Sequence, residues 1–302
     1  MTPPLLSALA RVLASIDAPR NLRALYGLLT GFCMAGLLLA MARSALGRDQ
    51  ALLSALWLGL GLAVAFFSVN ATGLMLMDQA RGLPVRDPQD AFAAELHCAH
   101  RVLLALLACV ALAALALLLL AALLWATRLP LLGPPLLAVV LPAGVLLLGG
   151  ISFVLVVLVG PLAGPAVWAG RHSGGVLRFL RERLRHGLPE TALLMAAVYL
   201  LAALATAAVS FVVVSGSQLL AGLAILGAGV ELPARQLLAG VVGLGPRGLG
   251  ASGIPLQGGN LGLAALIGGG VVFALALVLP TLVYLRGVCE VYLALMAAAE
   301  LE

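Results

Sequence analysis

The sequence predicts an all-α fold: a polytopic transmembrane helical bundle of about six spans, with short amphipathic interfacial helices. Three observations predict it. Hydrophobic residues make up 63% of the chain and charged residues 10%, against roughly 25% charged residues in a soluble domain, so too little charge exists to cover a water-facing surface. Mean hydropathy is +1.17, and the apolar runs reach about 20 residues or more, enough to cross a hydrocarbon core about 30 Å thick. Those runs are continuous and rich in Leu and Ala. Lipid admits helices or closed barrels, and barrel strands alternate apolar and polar residues, so these are helices.

The N-terminal stretch is not a signal peptide, because Pro3, Pro4 and Arg11 interrupt any long uncharged run. Leu5, Leu9, Val12, Leu13 and Ile16 recur at helical spacing and predict a short surface helix that Pro19 ends. Spans are expected at 22–42 and 51–77, the second closing at Asp78. A polar segment follows, in which Asp87-Pro88 starts a helix leading into the third span, 102–125. The turn Gly133-Pro134-Pro135 precedes the fourth span, 136–159, with Pro142 as a kink and Gly160-Pro161 as its end. A basic stretch, Arg171 to His186, leads to the fifth span, 190–214. An external glycine-rich loop is expected over 215–260, in which Leu219 to Val230, too short to span, forms a re-entrant or surface segment. The sixth span covers 261–285, and its helix can run on past Arg286. A polar or amphipathic segment thus precedes the first, third and fifth spans, so the chain reads as three helical hairpins.

Arginine sets the orientation. With a cytoplasmic N-terminus and six spans, the inner segments hold twelve arginines (11, 20, 23, 81, 86, 101, 171, 178, 181, 183, 185, 286) and the outer ones five (43, 48, 128, 235, 247). Both termini are therefore expected in the cytoplasm of a bacterial cell, with the chain in the inner membrane. There is no lysine, which excludes a lysine-dependent phosphate loop and Schiff-base chemistry. The net charge of +5 suits anionic lipid headgroups. No soluble basic domain is present to contact nucleic acid.

Several constellations have both a functional and a structural reading. Gly27, Gly31 and Ala35 form a small-residue stripe on the first span, a helix-packing face within the chain or, less simply, a dimer seam. His97 and His100, with Cys98 and Glu95 near them, suggest a metal, but a closed zinc site needs four ligands and a solvated interfacial helix explains them. No metal, cofactor or catalytic residue is expected. Asn70 is the main polar group inside an early span, either a pathway marker or an interhelical hydrogen bond. Arg286 and Glu290 are four apart on the last helix and can pair, with Arg286 snorkelling to the interface. The strongest local signal is the basic amphipathic helix in which Arg178, Arg181, Arg183 and Arg185 lie beside an apolar face of Leu177, Leu180 and Leu184. Such a helix lies in the headgroup layer and contacts anionic lipid.

Three segments carry a resemblance: Gly160-Pro161-Leu162-Ala163-Gly164-Pro165, Val176-Leu177-Arg178-Phe179-Leu180-Arg181, and Leu282-Val283-Tyr284-Leu285-Arg286 on to Glu290. In these and in layout the chain resembles prokaryotic six-helix membrane proteins that are similar to the membrane domain preceding some glycerophosphodiester phosphodiesterases. Nothing resembling the phosphodiesterase catalytic domain occurs in these residues, so the resemblance implies architecture rather than activity. The expected role is a non-enzymatic inner-membrane scaffold or accessory subunit in envelope organisation, with membrane lipids and a further membrane protein as candidate partners. The alternative is a permease-like or lipid-handling protein.

Overall fold

The computed structural model describes residues 3–46, 48–128, 133–228 and 259–299. Among these the chain is all-α, and no strand occurs. Helix α1 (Pro3–Leu13) runs into a 3-10 segment (Ala14–Arg20), which carries the chain through Pro19. Then come α2 (Leu22–Leu46), α3 (Ala51–Ala80), α4 (Pro88–Ala126) and α5 (Gly133–Val154). A π-helical segment (Leu155–Val159) joins α5 to α6 (Gly160–Trp168). Helices α7 (Ser173–His186), α8 (Leu188–Ala228) and α9 (Gly259–Ala299) complete the order. Among the described residues six helices are long and apolar enough to cross a membrane, which makes the chain a multi-pass membrane protein.

Local chemistry explains the boundaries. Asn21 caps α2: its Oδ1 accepts the Ala24 N–H at 3.1 Å, and its Nδ2 donates to Gln79 Oε1. Pro88 occupies the first turn of α4, where the missing N–H costs nothing. Helices α3 and α6 end alike. Gly82 (φ +69°) and Gly170 (φ +97°) take the left-handed conformation, and the N–H groups of Leu83 and Arg171 reach back to the carbonyls of Asp78 and Ala166.

Two expected breaks are absent. The fourth span was expected to stop at Gly160-Pro161, yet helix continues to Trp168. Pro161 has no N–H and its ring would crowd the carbonyl four residues back. Widening the turn to π geometry, with Gly160 N–H bonded to the Leu155 carbonyl, lets the chain pass. Likewise α8 runs unbroken through Ala228, past Val214, so Leu219 to Ala228 prolongs the fifth span's helix rather than forming a separate re-entrant or surface piece. The rest of the expected glycine-rich loop up to residue 258 lies outside the described residues. Helix α9 runs past Arg286 to Ala299.

The chain divides into two compact units. One comprises Met1–Val12, Ala93–Ala197 and Val288–Glu302. Its centre is α6, in which every residue from Pro161 to Trp168 is buried. The other comprises Leu13–Phe92 and Val198–Gly287 and is organised by the α2–α3 hairpin. There Gly27, Gly31 and Ala35 are buried. A Cβ on Gly31 would overlap Ser68, and one on Gly27 would stand 3.1 Å from Met75 Cε. The stripe is thus a packing face between α2 and α3, which approach closely because it lacks side chains. In the same unit Tyr199 of α8 stacks on Tyr284 of α9, centroids 5.9 Å apart.

Candidate functional site

Helix α7 and the surface beside it form the candidate site. The extended backbone at His172 starts the helix, and Val176, Phe179 and Leu180 bury its apolar face. The Phe179 ring meets Tyr292 of α9 edge-on at 5.3 Å. Two arginines complete this anchor. Arg171 lies 5.1 Å from the centre of the Phe179 ring and reaches Met296 Sδ at 3.0 Å. Arg183 lies 5.9 Å from the same ring and donates to the Leu295 carbonyl at 2.5 Å.

The basic stretch therefore divides by role. Arg171 and Arg183 face the protein. Arg178 is exposed and pairs with Glu182 one turn on, Nε to Oε1 at 3.0 Å, a contact of small energy at such exposure. Arg181 and Arg185 are exposed and make no ion pair or hydrogen bond with the described residues. Sequence reasoning places all four arginines from Arg178 to Arg185 on lipid. The geometry leaves Arg181 and Arg185 as the unpaired cations and turns Arg183 inward.

Next to α7 a groove of about 690 Å³ opens between α4 and the helix formed by α5 and the π segment. Ala113 and Ala116 form one wall, and Gly150, Ile151 and Val154 form part of the other. Leu177, Leu184 and Arg181 of α7 close the end nearest the π segment. The walls are apolar except at Arg181. A Cβ on Gly150 would meet nothing within 4 Å. The groove was not foreseen in the sequence. Ala113, Ala116 and Gly150, which line it, do not stand out in the sequence, because alanine recurs throughout the third span and glycine is frequent in the chain.

The remaining predicted residues lie elsewhere. Asn70 is buried, and its Nδ2 donates to the Phe66 carbonyl one turn back at 2.9 Å. Arg286 is half-buried and donates to the Leu76 carbonyl of α3 at 3.1 Å. Glu290 is 5% exposed. Asp78, expected to close the second span, is buried and held by Arg86 through two bonds of 2.6 and 2.8 Å. Near the start of α4, ahead of the third span, Cys98 Sγ donates to Glu95 Oε2 at 3.1 Å, and His97 Nδ1 lies 2.9 Å from the Ala93 carbonyl. Glu95 is fully buried and its Oε1 has no partner among the described residues. Burial raises its pKa from 4.5 to about 7, against a smaller lowering by the Cys98 bond. No group of three His, Cys, Asp or Glu able to hold a metal occurs among the described residues.

No family model, curated protein or solved structure matches this chain.

Proposed function

We propose that this multi-pass protein resides in the bacterial inner membrane with both termini cytoplasmic. There it serves as a non-enzymatic scaffold or accessory subunit of envelope organisation, with α7 resting on anionic headgroups. The supporting observation is where its charges are engaged. Arg86 clasps Asp78, Arg183 binds the Leu295 carbonyl and Arg286 binds the Leu76 carbonyl. Each is a cross-link between segments distant in sequence or across a turn. A cation on a carbonyl near a helix C-terminus is favourable, so these contacts brace helix ends. A coupled carrier instead places ionisable groups along a midplane path.

The test is transport by the reconstituted chain. Proteoliposomes under a pH gradient are expected to show no proton-driven solute uptake. A flux that Glu290→Gln abolishes, with the helical signal and melting temperature unchanged, would overturn the reading. The groove beside Arg181 favours a second reading, lipid handling.

A further inference from the structure

The geometry points to the groove between α4 and the α5–π helix as a binding site for one acyl chain of an anionic glycerophospholipid, its phosphate held by Arg181. Three observations converge. The first is size. The groove follows the helix from Leu146 to Val159, roughly 20 Å at about 1.5 Å per residue. Half of a hydrocarbon core about 30 Å thick is ~15 Å, so the groove is long enough for one chain of one leaflet. Its volume of about 690 Å³ lies within the roughly 300–1,000 Å³ of small-molecule sites.

The second is polarity. The chemistry along the groove is that of a phospholipid: apolar along its length, cationic at one end. Arg181 stands at the α7 end, beside the π segment, and its guanidinium has no partner among the described residues. Arg185 adds charge nearby, while Glu182 is occupied by Arg178. A planar guanidinium binds a phosphate through two parallel donors, and bound phosphate would supply the partner Arg181 lacks. A zwitterionic lipid offers the same phosphate with a competing cation attached, so an anionic lipid is preferred.

The third is fixity. Helix α7 cannot swing freely over the groove, because Phe179, Arg171 and Arg183 pin it to the end of α9. The π segment supplies the other wall, where the widened turn required by Pro161 adds a bulge in the helix. The groove is therefore preformed, and a lipid entering it pays little ordering cost in the protein.

The test places the full chain in nanodiscs of phosphatidylcholine doped with phosphatidylglycerol or phosphatidylcholine carrying a photoreactive diazirine in mid-chain. Adducts are mapped by mass spectrometry. The phosphatidylglycerol probe is expected to label 109–116 and 146–159 above the exposed outer residues Leu118 and Leu119. Arg181→Gln should reduce that labelling about tenfold, the effect of one hydrogen bond to a charged group, and Arg185→Gln should reduce it much less. Gly150→Phe, whose Cβ would meet nothing within 4 Å and whose ring would occupy the groove, should abolish groove labelling by both probes and spare Leu118 and Leu119. If Gly150→Phe does not fold, the pair Arg181→Gln and Arg185→Gln decides alone. Equal labelling by both probes with no effect of Arg181→Gln would reduce the site to ordinary boundary lipid and overturn the proposal. So would adducts no denser in the groove than on the outer face, or an efficient cross-link between two copies through Cys109, which would show a second chain in the groove. The groove can hold a lipid whatever the chain's role in the envelope, so labelling and solute flux succeed or fail separately.

Discussion

Gly31 allows α2 and α3 to touch, since any Cβ there would overlap the Ser68 side chain. Overpacking of this kind costs about 1–3 kcal/mol. Gly31→Ala should lower the melting temperature in detergent, and adding Ser68→Gly should restore most of the loss. If the double variant is no more stable than the single one, the two helices are not limited by this contact. Glu95 sets a pH dependence. Burial holds its native pKa near 7, above its ordinary 4.5. The native state therefore keeps this proton over a range in which the unfolded chain has lost it. The stability contributed is complete below about pH 4.5 and is lost as pH rises through about 7. Thermal stability should fall between roughly pH 5 and 8 in the parent chain, and the fall should be smaller in Glu95→Gln. Identical pH profiles would mean that Glu95 is ionised in the fold.

Within elements, the same residue type performs opposite tasks. Along α7, Arg183 binds the Leu295 carbonyl whereas Arg185 is exposed. Arg183→Gln should destabilise the fold by about 1–3 kcal/mol, the range for losing a buried hydrogen bond to a charged group. Arg185→Gln should leave the melting temperature within error and weaken binding to anionic vesicles, most visibly at low salt. Equal melting temperatures for the two variants would contradict this division. Helical periodicity could place both arginines beside the apolar face of α7, but it could not tell that one meets a carbonyl 112 residues on in the chain while the other stays exposed. The same limit applies to Gly160-Pro161. Proline removes one hydrogen bond and crowds the preceding turn, but it does not dictate whether the chain stops, kinks or widens its turn, and at Pro161 it widens.

At the scale of the molecule, the arginine bias predicts cytoplasmic termini. A reporter at Glu302 that is active only in the cytoplasm should be active, and one active only outside should be silent. The reverse result would invert every span. The helical class, the membrane-crossing helices and the basic α7 were all legible in the sequence, because apolar length and charge placement act locally and need no partner. Helical segments precede α2 and α8, whereas the polar segment expected before the third span is the first part of α4 itself. Tertiary structure alone decided which charges are engaged and which are open. Asp78 lies in Arg86's grip, Arg286 on a carbonyl 210 residues away, and Arg181 at the mouth of a groove. The physical reason is that hydropathy reports how much surface a segment must hide from water. A hydrogen bond or a groove depends instead on which side chains from distant segments meet, and small residues such as Gly150 declare an open space only once their neighbours are in place.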